Sequence, residues 1–525
     1  MVPRLTPELC TALRTAFQRT GYHVDGVPEL LGEAAHAALG RDEPVPARLA
    51  SRSGGALGTL VRLFLLHDAV PEAEAAKALA PVEVSDAVAA GLLRGTDDSG
   101  PGLVAALDVR PHGDDVGAWW VVSDLEPGRG AGQHQPPSAD HVLGVGHASL
   151  SLAAATVRRP VPRLLDLGTG CGVQALHAAR HAERVLATDV NPRALALAAG
   201  TFALSEIDVE LRGGSWLEPV AGELFDQIVT NPPFVTGPPR VRHTYRDSGM
   251  AGDGVAARLV GSLPGLLTEG GVAQLLACWL HVRGQDWSER VESWLPDRGV
   301  DAWFVQREVA DPALYVGTWL RDSGVDPASP RGQREALEWL SWFETHQVDA
   351  VGFGFVTLRR TGADHPVVLC DDLRDGVLDP LGRESAGWLD RVDWLRAHRD
   401  DAALLAARLT LAPSVVLDQI ATPGVDGWST AMRTVRRTDG PGWRHEVDEP
   451  AMALLAGCQG ALPLADLFEL LSFAHDRPTG DLVAAGLPSV RELVRHGLLL
   501  PAEWSSGERT ERPERPAERS AERSA

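Results

Sequence analysis

The stretch that decides the fold runs from Leu164 to Leu176 and reads LLDLGTGCGVQAL. Its first residues, apolar and closing on Asp166, read as a buried strand. Gly168, Gly170 and Gly172 read as a loop, and VQAL opens a helix. Glycine lets the backbone turn sharply and approach a ligand without a Cβ in the way. Strand, glycine loop and helix in that order mark a ligand cradle at one end of a parallel sheet.

Reading outward, Asp189 ends the next strand-like run, VLATD, 23 residues beyond Asp166. A carboxylate at that place can accept both hydroxyls of a ribose. A nucleoside-containing cofactor follows. Nicotinamide and flavin sites favour G-x-G-x-x-G, whereas the spacing here is G-x-G-x-G with an acid two residues before the first glycine. That acid repels a pyrophosphate and attracts an ammonium, which selects S-adenosylmethionine. Further strand candidates are DVELRGG, FDQIVT, VAQLLAC, DAWFVQREV and AVGFGFVTLRR, with the helical patterns GVQALHAARHA, PRALALAAGTFAL and DGVAARLVGSLPGLL between the earlier ones. Such alternation predicts an α/β domain with a mostly parallel, doubly wound sheet over residues 141–360.

FDQIVT, residues 225–230, runs into Asn231-Pro232-Pro233-Phe234. Two prolines can continue neither a ladder nor a helix. They fix a corner, and the Asn231 side-chain oxygen and the Pro232 carbonyl there can accept two N–H bonds. A planar amino or carboxamide nitrogen is a poor nucleophile, because its lone pair is delocalised. Gripping both of its N–H bonds orients it and favours pyramidalisation, an electrostatic preorganisation. Alignment of this kind can lower a barrier by up to roughly 7–11 kcal/mol. Phe234 offers a face on which a flat substrate can stack, worth ~1–3 kcal/mol for a base.

With these residues in hand, residues 141–280 resemble a class I S-adenosylmethionine-dependent methyltransferase of the branch that carries an Asn-Pro-Pro-aromatic motif and methylates planar amino groups. The resemblance implies a Rossmann-like seven-stranded sheet. It assigns the methionine part to Asp166, Gly168, Thr169, Gly170 and Gly172, the ribose to Asp189, and the substrate nitrogen to Asn231, Pro232, Pro233 and Phe234. Where the family often has an acid facing the adenine, this chain has GGSWLEP. Ser215 can still bond the adenine, and Trp216 either packs on the adenine or belongs to the core. GVGHASLSLA, residues 144–153, resembles the family's lid over the cofactor.

Arg240, Arg242, His243, Tyr245 and Arg246 crowd the segment after the corner. At an active-site mouth they suit phosphates; the alternative is a solvated loop paired with Asp247 and Asp253. Three readings follow. The first is a base amino-methyltransferase acting on nucleic acid, RNA foremost. The second is a protein glutamine N5-methyltransferase of the release-factor type, to which the Gly252-Asp253-Gly254 segment is similar. The third is a degenerate methyltransferase fold serving as a binding module, which the intact Asp166, glycine loop, Asp189 and Asn231 oppose.

The chain has 525 residues, 71 acidic against 49 basic, and a formal net charge of −22. That argues against a non-specific nucleic-acid coat and leaves room for a local basic mouth. Five scattered cysteines without a CxxC pair indicate neither a zinc site nor a disulfide framework, which fits a reducing cytoplasm. Neither a signal peptide nor a membrane span is visible. Residues 1–125 read as a helical, winged-helix-like domain, three helices followed by the hairpin pattern of GLVAALDVRPHGDDVGAWWVVSD. Residues 126–140 read as a linker and 361–505 as a second helical, winged-helix-like domain. The Glu/Arg-alternating residues 506–525 read as a disordered tail.

Overall fold

The computed structural model describes residues 2–96, 102–114, 116–126, 138–239, 247–374, 381–424 and 427–505. The Arg240–Arg246 cluster, most of the expected linker and the C-terminal tail lie outside the described residues. The chain divides into two compact units, Met1–Arg374 and Asp375–Ala525.

The first unit is built on strands β1 (Val161–Leu167), β2 (Ala182–Asp189), β3 (Glu210–Gly213), β4 (Phe225–Thr230), β5 (Leu267–Val282), β6 (Val300–Ala310), β7 (Val348–Arg360) and β8 (Val368–Asp372). They form one eight-stranded sheet in the order 8-6-7-5-4-1-2-3. β1 to β5 are parallel neighbours, β7 runs antiparallel between β5 and β6, and β8 is parallel to β6. Seven of these strands fall on the runs read from the sequence. The eighth, short and ending in two acids, extends the edge from Ala302 opposite Val368 to Gln306 opposite Asp372.

Parallel strands covered on both faces read as continuous apolar runs, and β4 illustrates why. Phe225 and Ile228 are fully buried and Val229 nearly so, each such side chain contributing about 1.5–3 kcal/mol. The polar exception, Gln227, donates its amide to the Val157 carbonyl at 2.7 Å. Gln274 on β5 accepts the Val157 N–H at 2.6 Å and donates to the Ala155 carbonyl at 2.7 Å. Two buried amides therefore staple the end of the helix His147–Ala155 to the sheet.

Ahead of the sheet come the helix Pro7–Thr20 and several shorter ones. Within them the order is the helix Gly55–Leu60 with its π-turn Val61–Leu65, a bridge from Val70 to Leu103, the helices Glu72–Leu79 and Val84–Ala89, and the antiparallel strands Leu93–Gly95 and Leu103–Ala105. This short pair directly follows the helices, and the hairpin read from the sequence comes after it. The longer hairpin, Asp108–Asp114 with Gly117–Ser123, packs instead on the helix Pro192–Ser205. There the Val122 N–H meets the Thr201 hydroxyl at 3.0 Å and the Trp120 N–H meets the Ser205 hydroxyl at 3.2 Å.

The second unit packs the helices Leu381–Ala397, Glu449–Gly457, Leu464–His475 and Thr479–Arg495 around a core that includes Leu404, Phe468, Val490 and Leu499. A three-stranded antiparallel sheet, Val415–Gly424, Gly427–Arg437 and Arg444–Glu446, is an element the sequence reading did not contain. Among the described residues no helix is long and apolar enough to cross a membrane.

Candidate functional site

Strand order reverses between β1 and β4: β2 and β3 continue to one side, β5 and its neighbours to the other. In open α/β sheets the ligand crevice lies outside the carboxyl ends of the strands at that switch point. Asp166 and Leu167 on β1 stand opposite Val229 and Thr230 on β4, and opposite Ala187 and Thr188 on β2. The register therefore brings the glycine loop, Asp189 and the Asn231 corner to one end of the sheet. Asp189 stands opposite Gly213 of β3, so Ser215 and Trp216 arrive at the same end.

The glycine loop is strapped to β2: the N–H groups of Gly168 and Thr169 both donate to the Thr188 carbonyl at 2.9 Å. Gly168, Gly170 and Gly172 have φ of +76°, +56° and +93°, the region where L side chains are strained. A Cβ on Gly168 or Gly170 would project into open space, whereas one on Gly172 would stand 2.7 Å from the Phe202 ring. The first two leave a ligand cradle open; the third permits close packing of loop against helix.

Asp166 is wholly buried. Its Oδ2 accepts the Thr169 hydroxyl at 2.7 Å and the Ala175 N–H at 3.1 Å, while its Oδ1 has no partner among the described residues. Desolvation pushes this carboxyl up to about 7 against the two hydrogen bonds that lower it. Asp189 accepts the Gly170 N–H at 2.9 Å and the Asn191 N–H at 2.8 Å, and burial raises it too. At this end of the sheet two further buried oxygens, Thr188 Oγ1 and Asn231 Oδ1, have no partner among the described residues. Unsatisfied buried polar atoms are rare and costly, and here three stand on the ends of three adjacent strands.

The corner itself is anchored before and after. The Thr230 hydroxyl donates to the Leu167 carbonyl at 2.7 Å. Pro232 is buried, and no described residue donates to its carbonyl. Phe234 is half-buried, edge-on to Trp319 with centroids at 6.0 Å and tilted against Phe353 at 5.4 Å. Its ring thus belongs partly to an aromatic cluster that the sequence reading did not connect to it. Trp216 sits at φ +50°, half-buried against the sheet core, with the Arg258 guanidinium 5.3 Å from its ring centroid. Ser215 lends its carbonyl to the Glu218 N–H at 3.1 Å. The segment expected as a lid is the helix His147–Ala155, tied to the post-loop helix through Gln174 Nε2, which donates to the Ser149 carbonyl at 2.7 Å.

The sheet carries a single reversed strand, β7, third from its far edge, a glycine loop after the first strand and an acid closing the second. Residues 145–247, which hold the glycine loop, Asp189 and the Asn231 corner, match the family model described as methyltransferase small domain. Residues 19–106 and 386–501 match two domains of unknown function, DUF7059 and DUF7782. Among individual proteins, the chain is 42% identical over 138 residues to the release factor glutamine methyltransferase of Deinococcus radiodurans, covering 24% of this chain and 49% of that protein. It is 32% identical over 177 residues to that of Bordetella pertussis, covering 31% and 62%. It is 30% identical over 115 residues to ribosomal RNA small subunit methyltransferase C of Alcanivorax borkumensis, covering 22% and 32%. The chain therefore spans about half the length of the first of these relatives and less than two thirds of the second.

Proposed function

We propose that this chain methylates a planar NH2 nitrogen, with S-adenosylmethionine as donor and the exocyclic amino group of a nucleic-acid base, RNA foremost, as acceptor. The observation that carries the reading is a pair of acceptors at the corner, Asn231 Oδ1 and the Pro232 carbonyl, that no described residue engages. Two acceptors on a stiff bend match the two N–H bonds of such a nitrogen.

The unpartnered Asp166 Oδ1, the unpartnered Thr188 Oγ1 and the open space at Gly168 and Gly170 fit the cofactor. Asp166 and the glycine loop with Thr169 would hold its ammonium-bearing part, Asp189 its ribose, and Ser215 and Trp216 flank the adenine side. When bound, the sulfonium supplies an electrophilic methyl group that needs no activation. Asn231 and Pro232 orient the nitrogen and weaken its conjugation. Phe234 and its aromatic neighbours exclude water from the face where the planar group lies. The helix–bridge–helix–helix–strand-pair order at residues 55–96 and 102–105 supports a winged-helix-like reading, and we assign this segment and the C-terminal unit to substrate binding.

A glutamine carboxamide presents the same two N–H bonds. The 42% and 32% identities to release factor glutamine methyltransferases favour that second reading, while the Arg240, Arg242 and Arg246 cluster favours phosphate-bearing substrates. Tritiated-methyl transfer into fractionated cell extract, with RNase and protease digestions in parallel, tests both. Label lost to RNase supports the first and label lost to protease supports the second. Absence of label in either fraction contradicts the enzyme reading.

A further inference from the structure

Between β6 and β7 the chain inserts two helices, Pro312–Asp322 and Pro330–Thr345, and the first reaches the corner. Tyr315, 6% exposed, lies under Thr236, whose backbone N–H donates to its phenolic oxygen at 2.7 Å. The Thr236 hydroxyl in turn donates to the Phe234 carbonyl at 3.2 Å. One turn further along the helix, Trp319 meets the Phe234 ring edge-on. Tyr315 is itself walled by Trp339 at 6.2 Å, Phe343 at 6.0 Å and Trp319 at 6.0 Å, with the Cys278 thiol of β5 against its hydroxyl. Burial keeps this phenol neutral.

The bend is therefore tied at both ends. Before it, Thr230 is held in the β4 ladder and to Leu167. After it, Thr236 is held by Tyr315. The five residues between, Asn231 to Val235, contain both acceptors. A short, proline-stiffened segment fixed at each end has little room to move, so its acceptors keep their places before substrate arrives, and such preorganisation is where electrostatic catalysis gains most.

We propose that Tyr315 is a positioning residue: its phenolic oxygen, through Thr236, sets where Asn231 and Pro232 present their acceptors, and the inserted helix is part of the catalytic apparatus. The inference rests on the N-methyltransferase reading above. Nothing in the corner motif itself names Tyr315, which lies 84 residues from Asn231 in the chain.

The test is Tyr315→Phe, which deletes one oxygen and leaves a buried N–H without an acceptor. Full-length protein is assayed with tritiated S-adenosylmethionine and whichever extract fraction, RNA or protein, the wild type labels. Rates at saturating acceptor are divided by cofactor-binding sites counted by calorimetry. The expected result is a 10- to 100-fold lower maximum rate per site, a half-saturating acceptor concentration within threefold of wild type and cofactor Kd within twofold. In an Asn231→Ala background the same change should cost little more, because both substitutions disable one grip; independent defects would multiply instead. Wild-type rate in Tyr315→Phe, or full multiplication of the two losses, overturns the inference. If Tyr315→Phe binds no cofactor, Trp319→Phe replaces it with the same expected non-additivity, and a wild-type rate there overturns the inference. Full activity of Asn231→Ala, or no labelling by wild type, overturns the reading beneath.

Discussion

Cofactor affinity should fall with acid in a way that the structure quantifies. Asp166 is wholly buried, has one unpartnered oxygen, and is raised to about 7 by desolvation. A cation bound against that oxygen favours the ionised carboxylate, so binding removes a proton and the apparent Kd rises as pH falls. For a group that titrates at about 7 in the free protein and stays ionised in the complex, Kd scales as 1 + 10^(7−pH). Going from pH 7 to pH 5.5 multiplies it by about 16, or about 1.6 kcal/mol at 1.36 kcal/mol per decade. The ligand's own amino group stays protonated over that window, and the protein stays above its isoelectric point near 5.2. Asp189, also raised by burial, adds to the slope in the same direction. Calorimetric titration of S-adenosylhomocysteine at pH 5.5, 6.0, 6.5 and 7.0 reads the slope directly, and Asp166→Asn should bind more weakly and lose most of it. The same raised carboxyl destabilises the free protein once ionised, because the unfolded chain holds that proton only below about pH 4. Asp166→Asn should therefore melt higher than wild type at pH 8. A Kd independent of pH in wild type, or an unchanged slope in Asp166→Asn, would refute the assignment of Asp166 to the ammonium.

Asp189→Ala should raise the cofactor Kd at least tenfold by removing the ribose acceptor and releasing the Gly170 and Asn191 N–H groups; wild-type affinity by calorimetry counts against the ribose role. Gly172→Ala combines a left-handed backbone with a Cβ 2.7 Å from Phe202, so urea titration should show a loss of about 2–4 kcal/mol, and a loss below 1 kcal/mol would show that the loop can relax. Arg242→Glu with Arg246→Glu should reduce RNA methylation and flatten its salt dependence, since phosphate contacts make affinity fall steeply with salt; equal activity on RNA would favour the glutamine substrate.

Most of the sheet was legible because its central strands are apolar runs that end at residues with strong local meaning: an acid and then glycines at the end of β1, an acid closing β2, two prolines after β4. β8 escaped because it is short and ends in acids, and its place depends on pairing with β6 rather than on a pattern of its own. The 415–437 hairpin escaped because its exposed faces leave no apolar alternation to read. Phe234 was legible as an aromatic beside a corner, but its contacts with Trp319 and Phe353 come from strands and helices distant in the chain. Tyr315 was illegible for the same reason: a single hydroxyl acts on a backbone N–H 79 residues away, and no local motif encodes that. Gln227 and Gln274, polar residues inside apolar strands, offered a signal that was available; buried amides in such runs usually hold a backbone segment.

The most direct measurement pairs cofactor binding with methyl transfer in Asn231→Ala. The side-chain oxygen is proposed to grip the acceptor nitrogen and not the cofactor's anchoring groups. The account predicts a maximum rate lower by 100- to 1000-fold, the loss expected for one preorganised partner, with S-adenosylhomocysteine binding by calorimetry within twofold of wild type. An unchanged rate in a variant that still binds the ligand would contradict the account.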